Sequence, residues 1–400
     1  MNKHVKPPFN DATWRRRAEI YKFLEEICQD LDLLGEQTMR AKRAYEAVAE
    51  WLAGSLHPLL SNIDVYPQGS TALGTAVRPL GRDEFDVDLI CLILKGHAGM
   101  APEDIKKIIG DRLREHATYA KMLVEKKRCW RLDYAGDFHL DLSGTIRNIQ
   151  CVNGGELVTD KKLHGWHPTH PKGYRQLFEK RAQLMPRMRR MFAKTQMRDQ
   201  ASIEPFPDPS IPKGVLRRVV QLLKRHRDNH FLNVKEDIAP ISIIITTLAM
   251  RSYDHCVGMY EFDDELDVLI STIRMMPHFI DKSSRDGRQY YAVWNETTQG
   301  ENFADRWNLE PQRAAAFYAW HGKALSDFQA MRDAEGLDGV TKTAKSNFGD
   351  KVVTRVMDAR TNKISAARKS SSLLVAPAIG LTTKASAAAQ TVRKNTFFGD

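Results

Sequence analysis

The chain has 400 residues, 42% of them hydrophobic and 28% charged, enough to bury a core in two or three domains or in one large bilobal unit. Its formal net charge of +10 favours anionic partners, nucleoside triphosphates or nucleic acid, without choosing between them. Five scattered cysteines (Cys28, Cys91, Cys129, Cys151, Cys256) make no CxxC unit, which argues against a disulfide framework or zinc ribbon and for a reducing cytosol; the start lacks the apolar core of a signal peptide, and no apolar run reaches the roughly 18 residues of a membrane span.

In chain order, residues 1–10 read as a loose arm. Trp14, Ile20, Phe23, Leu24 and Ile27 recur at helical spacing from Ala12 to Gln29, and a second helix from Glu36 to Leu56 suits a brace across a sheet. Asn62–Tyr66 is a short strand, Pro67–Ser70 a turn, and Phe85–Leu94 a buried strand. Pro102 at a first helical position, with Glu103 and Asp104 behind it, opens a helix to about Ala120. Strands follow at Met122–Leu132 and Asp137–Leu142, a turn-rich segment at Asn153–Pro171, and a helix at Gly173–Leu184. Residues 185–212, with Pro205, Pro207, Pro209 and Pro212, read as a crossover between lobes. Beyond it the pattern is mainly helical: Gly214–Phe231, Ala239–Tyr253, Glu261–Met276 and Pro311–Ala334, with a short strand at Arg288–Trp294. The last 60 residues are basic, partly helical, and end as a mobile tail.

The chemistry concentrates in Tyr66–Asp88. Residues i and i+2 of a strand share a face, so Asp86 and Asp88 point one way and Val87 the other. Two carboxylates this close repel and raise each other's pKa unless a cation lies between them, and Mg²⁺ takes one or two carboxylates together with phosphate oxygens and water. Asp141, on the alternating strand FHLDL, is the best third acid; Asp133 and Asp137 lie nearer turns. Sixteen residues before Asp86, Gly69-Ser70 offers a close backbone approach and a hydroxyl for phosphate oxygens. Gly-Ser alone is most often a plain turn, and Asp-x-Asp alone is often charge on a surface strand. Together, at this separation, they resemble the signature of the polymerase-β-like nucleotidyltransferases.

QGSTALGTAVRP, FDVDLI and FHLDLSGTI, with LVTDKKLHGWHPTHPKGY, LLKRHRD, PISIIITTLA and ENFADRW in the same order, resemble the bacterial cGAS/DncV-like nucleotidyltransferases (CD-NTases) of anti-phage CBASS defence. The resemblance implies an α/β (α+β) mixed sheet with a long brace helix and a mainly helical C-terminal lobe: a catalytic lobe over 1–184, a crossover over 185–212, a helical lobe over 213–365 and a flexible tail over 366–400. It implies metal binding and catalysis by Asp86, Asp88 and Asp141, and nucleotide binding by Gln68, Gly69, Ser70, Lys224 and Ser242. It implies two Mg²⁺ ions, with Mn²⁺ as the alternative. The substrates would be NTPs, ATP first and GTP second, condensed into a cyclic di- or trinucleotide that acts through a downstream effector. Nucleic acid would not be required, since the cysteine-rich zinc insertion of the animal DNA sensors is missing. Ile243 follows Ser242 where some relatives carry a base-stacking aromatic. The C-terminal KNTFFGD would suit a ubiquitin-transfer-like conjugation enzyme or another defence-operon protein.

Rival readings share parts of this pattern. A linear oligonucleotide or RNA-tailing transferase would use the same catalytic residues, and a non-catalytic nucleic-acid-binding protein could use the basic stretch Arg187–Arg198, for which a solvated helix or linker face is the favoured reading. His164, His167 and His170 form a nominal metal motif broken by Pro168 and Pro171; the simpler reading is a structured loop near the acceptor pocket with Trp166 and Tyr174 packing. His226 and His230 read as part of a basic helix face.

Overall fold

The computed structural model describes residues 11–33, 35–80, 84–159, 165–189, 213–234, 236–285, 287–376, 380–382 and 390–392. The N-terminal arm, most of the crossover, His164 and the terminal KNTFFGD lie outside the described residues.

The first elements of the described residues are helices α1 (Asp11–Leu31) and α2 (Gly35–Ala53). Strand β1 (Ile63–Pro67), the single turn α3 (Gly69–Ala72) and strand β2 (Phe85–Ile93) follow. Next come α4 (Pro102–Arg114), α5 (Ala117–Met122), β3 (Leu123–Glu125), β4 (Cys129–Tyr134), β5 (Phe138–Arg147), β6 (Glu156–Thr159), β7 (Trp166–Thr169) and α6 (Pro171–Ala182). The expected single helix over 102–120 breaks at His116, whose Nδ1 accepts the Tyr119 N–H at 3.4 Å and so caps a separate turn. The expected strand over 122–132 is instead a hairpin, closed where the Lys126 N–H donates to the Cys129 carbonyl at 3.0 Å. The segment read as turn-rich holds the β6–β7 pair.

These strands make one mixed sheet in the order β1-β2-β5-β4-β3, with β6 and β7 added along the end of β5. Only the central β2–β5 pair is parallel in the main path. Val87, Leu89, Cys91 and Ile93 pack one face of the sheet against α2 and α4. Gly144 permits the approach of α4, because a Cβ there would lie 2.8 Å from Ile105 Cγ2. The opposite face carries the polar side chains described below.

A short β8 (Arg187–Met188) precedes α7 (Val215–His230) and α8 (Ser242–Met259). Then come β9 (Glu261–Phe262), α9 (Glu265–Met275), β10 (Asp281–Arg285), β11 (Arg288–Ala292), α10 (Pro311–Asp333), α11 (Gly336–Phe348) and α12 (Asp350–Lys369). Their core is a second hydrophobic cluster centred on fully buried Phe317, Trp320, Phe328 and Phe348. Helix α1, expected with the catalytic lobe, belongs by packing to this cluster: Phe23, Leu24, Ile27 and Leu31 are buried in it. An apolar stripe must be covered by the nearest apolar surface, and α7, α9 and α12 supply it rather than the sheet.

His226 does not lie on a basic face. It is buried, accepts the Trp320 indole N–H at 3.0 Å, and lies 3.1 Å from Asp327. Part of the expected tail is folded: residues 366–369 complete α12, Leu373 is buried, and β12 (Leu374–Ala376) pairs antiparallel with β13 (Gly380–Thr382) and β14 (Gln390–Thr391).

Candidate active site

The turn after β1 is pinned to the strand that follows it. The Gln68 N–H donates to the Asp88 carbonyl at 2.8 Å, which brings Gly69 against the Asp88 side chain. Gly69 has φ +66°, and a Cβ there would lie 2.5 Å from Asp88 Oδ2. Both the backbone conformation and the space require glycine. Just upstream, the Tyr66 hydroxyl donates to the buried carboxyl of Glu156, which also accepts the Thr145 hydroxyl at 2.6 Å. That carboxyl, raised by burial, ties β1, β5 and β6 together beneath the turn.

Sheet register assembles the acids. Asp88 of β2 stands directly beside Asp141 of β5, and Asp86 beside His139. The next strand places Arg131 opposite Asp141 and Asp133 opposite His139. Adjacent strands lie about 4.8 Å apart, so Asp86, Asp88 and Asp141 share one small area of the sheet face. Burial, reinforced by the charges of Asp141 and Asp86, pushes Asp88 up from its ordinary value of 3.8 to about 7. A carboxylate so strained by like charge is one a divalent cation would relieve, and an all-oxygen donor set suits a hard cation such as Mg²⁺.

Arg131 already bridges this cluster. Its guanidinium donates to both oxygens of Asp141 at 2.6 and 2.7 Å and to Asp86 at 2.9 Å. On the flank, His139 lies 3.1 Å from Asp86 through Nδ1 and 2.5 Å from Glu84 through Nε2. Glu84, Asp133 and His139 are the one group among the described residues whose ligand atoms all lie within 4.8 Å of one another; Asp86, Asp88 and Asp141, the first and last bridged by Arg131, do not close to that spacing. Asp133 therefore belongs to this flank, and Asp137 pairs with Arg40 at 3.1 Å. His167 and His170 form no such group; His170 sits at the start of α6 with Nδ1 3.0 Å from the Thr297 carbonyl.

The opposite wall comes from the helical lobe. Arg217, Gln221, Lys224 and Arg225 recur at i, i+4, i+7 and i+8, one face of α7. They donate to the carbonyls of Leu73, Ala76, Thr75 and Arg78 at 3.0, 2.8, 3.1 and 2.7 Å. A single helix face thus holds the loop between the Gly-Ser turn and the Asp-x-Asp strand. Lys224 is buried, and desolvation, with Arg227 adding to it, pushes its ammonium down from 10.5 to about 7. Ser242 opens α8, and its hydroxyl accepts from Arg227 at 2.9 Å. Between these walls lies a cleft of about 430 Å³ lined by Gly69, Ser70, Asp86, Asp88, Lys224 and Ser242, together with Arg227, Asp228 and Thr246. Gln68 adjoins it through the turn. Ile243 lines the same cleft, an aliphatic wall where an aromatic would stack. Trp166 does not line it, so the loop expected beside the acceptor pocket faces elsewhere. Tyr174 is buried and bonds Thr247 at 2.8 Å.

Arg131, His139, Thr75 and Arg227 escaped the sequence reading. Arg227 was legible in principle, because Lys224 and Arg227 are one helical turn apart. Arg131 was not, since only the β4–β5 register places it on Asp141.

Known proteins resemble this chain over most of its length. Residues 19–181 match the model of the Second Messenger Oligonucleotide or Dinucleotide Synthetase domain. The chain is similar to bacterial CD-NTases. It is 28% identical over 394 residues to a c-di-GMP synthase of Roseivirga ehrenbergii, covering 97% of this chain and 99% of that protein. It is 26% identical over 354 residues to the cyclic dinucleotide synthase CdnG of Bradyrhizobium diazoefficiens, covering 84% and 82%. The solved structure of that CdnG in complex with GTP superposes with a TM-score of 0.66 at 22% identity, covering 85% of this chain and 97% of that one. The CdnC of Escherichia coli MS115-1 in complex with a HORMA protein superposes at 0.58 with 14% identity, over 82% and 96%. These superpositions show that the chain has the fold of these solved nucleotidyltransferases. Among the described residues, no helix is long and apolar enough to cross a membrane.

Proposed function

We propose that this chain is a CD-NTase that condenses two GTP molecules into a cyclic dinucleotide, cyclic di-GMP, as a second messenger in anti-phage signalling. The observation that carries the reading is the register that sets Asp88 beside Asp141, with the Gly69-Ser70 turn locked onto Asp88 and Lys224 and Ser242 lining the same cleft as Asp86 and Asp88. ATP ranked first on the resemblance alone. The two relatives aligned over most of the chain, a c-di-GMP synthase and a CdnG solved with GTP, move the choice to GTP.

In this reading Asp86, Asp88 and Asp141 hold Mg²⁺, with Mn²⁺ as a substitute. Metal held there would supply Lewis acidity toward a ribose hydroxyl and the leaving pyrophosphate. The protein supplies the rest. Gly69 lets the backbone approach the phosphates, and the Ser70 and Ser242 hydroxyls donate to their oxygens. The Lys224 ammonium, disfavoured in its buried position, gains a partner when a triphosphate enters. Arg227 holds the Ser242 hydroxyl at its station. The α7 clamp keeps the Gly-Ser loop at a fixed distance from the acids, the pre-organisation that positioning chemistry depends on. A protein partner gripping the C-terminus, such as a ubiquitin-transfer-like conjugation enzyme, would act on residues outside the described ones.

The test is product mass after incubating the purified chain with each labelled NTP and Mg²⁺ or Mn²⁺. GTP alone should yield a phosphatase-resistant species with the mass of cyclic di-GMP. The Asp86→Ala/Asp88→Ala variant should fold and yield none. A phosphatase-sensitive ladder would replace this reading with linear synthesis, and product from the double variant would remove the site assignment.

A further inference from the structure

A cavity of about 950 Å³ lies apart from the catalytic cleft and shares no lining residue with it. Its walls come from both lobes: the end of β5 with the loop to β6, strand β7, and the helical-lobe segment 294–300. These walls are tied to one another. Asn153 Nδ2 donates to the Thr297 carbonyl at 3.3 Å, and Cys151 Sγ lies 3.7 Å from the Thr298 hydroxyl. The volume is within the range of small-molecule sites.

Its chemistry is specific. Two half-buried indoles line it, Trp166 and Trp294. The Trp166 indole N–H is spent on the Met100 carbonyl at 3.0 Å, which sets the ring, and Arg251 holds the Trp294 carbonyl at 2.7 Å. At the mouth, Ile149 and Val152 stand 94% and 97% exposed, apolar side chains with no cover of their own. The charge is one-sided. Glu296 is already neutralised by Arg181 at 2.5 Å and Arg251 at 3.2 Å. Arg147 is exposed and makes no side-chain ion pair or hydrogen bond among the described residues. Exposed amides of Gln150 and Gln299 complete the lining.

Indole faces stack on flat heteroaromatic rings, a free guanidinium takes a phosphate, and amides read ring edges. We propose that this cavity is a second nucleotide site, distinct from the catalytic cleft, that binds a guanine ring and its phosphate. The choice of guanine rests on the proposed function, which makes cyclic di-GMP the first source and a linear guanine nucleotide the second. Arg147 ends the strand that carries Asp141, so an occupied cavity would touch the far end of a strand of the active site.

The experiment is isothermal titration of the full-length chain in EDTA with cyclic di-GMP and, separately, GMP. Lys224→Ala probes the cleft, and Arg147→Glu and Trp294→Ala probe the cavity. Binding of either nucleotide should survive Lys224→Ala and weaken by roughly tenfold or more in Arg147→Glu, the loss of one charge-assisted contact. Arg147 is exposed, so its variant tests the site without threatening the fold; Trp294→Ala is interpreted only if its melting temperature is unchanged. Which probe binds identifies the source. No binding of either, or binding lost in Lys224→Ala and untouched by Arg147→Glu, overturns the proposal. GTP turnover, assayed separately, reports on the proposed function alone, so the two can fail independently.

Discussion

Replacing Asp88 by Asn should stabilise the metal-free protein while destroying its activity. The wild-type carboxyl rises from 3.8 to about 7 because it is desolvated and crowded by Asp141 and Asp86. Between those two values the folded state binds a proton that the unfolded state has released, so stability falls as pH rises through this window. The full difference corresponds to about 4 kcal/mol. Asp88 keeps part of its surface open to the cleft, and solvent screening reduces the cost to roughly 2–3 kcal/mol at pH 8. Asn has nearly the same shape and no charge. Urea melts in EDTA at pH 4, 6 and 8 should show wild-type stability declining across the series by about that amount more than Asp88→Asn does. Mg²⁺ at millimolar concentration should recover much of the difference for wild type and little for the variant, because a ligand that binds only the folded state stabilises it. Equal pH slopes for the two proteins, or a variant less stable than wild type at pH 8, would refute the account of Asp88 as a strained carboxylate.

The remaining predictions test other contacts of the site. Lys224 has the opposite sign: its pKa is depressed to about 7, so the unfolded state binds the extra proton between that value and 10.5 and stability rises with pH over that window; Lys224→Met should flatten the rise in melts at pH 7.5 and 9.5 and raise the KM for NTP. Gly69→Ala forces a Cβ to within 2.5 Å of Asp88 Oδ2 at positive φ, and product formation should fall by roughly a hundredfold or more, the scale expected from misplaced catalytic groups, with far-UV circular dichroism unchanged. Arg131→Gln removes a cation that now neutralises Asp141 and Asp86, so electron paramagnetic resonance should detect Mn²⁺ binding to nucleotide-free protein at roughly tenfold lower concentration; unchanged or weaker binding would mean that Arg131 serves another purpose. Phe328→Ala, in the middle of the helical-lobe core, should cost about 3–5 kcal/mol in denaturant melts.

The local chemistry was legible along the chain because it depends on short-range periodicity. Alternation in FDVDLI put Asp86 and Asp88 on one face, and alternation in FHLDL exposed Asp141 with them. Gly69-Ser70 announced a turn, and the 3.6-residue spacing announced α1, α7, α8 and α10. Proline and acidic residues marked the start of α4, although its end at His116 was missed because a histidine cap is a weak signal. The resemblance that ordered these motifs came from the same residues.

Tertiary structure decided what lies beside what, because strand register and helix packing join residues far apart in sequence. The β2–β5 register set Asp88 next to Asp141 rather than near Asp133 or Asp137. The β4–β5 register set Arg131 across both acids. The basic residues of α7 read as one basic helix face, yet packing buried Arg218, Lys224, Arg225 and His226 and turned Arg217, Gln221, Lys224 and Arg225 toward loop carbonyls. Helix α1 went to the lobe whose apolar surface could cover it, not to the lobe next to it in sequence. Sequence determined which side chains could hold a phosphate or a cation; only the folded backbone, by its register and its buried helix face, brought Gly69, Ser70, Asp86, Asp88, Lys224 and Ser242 to one cleft and set Asp141 beside Asp88.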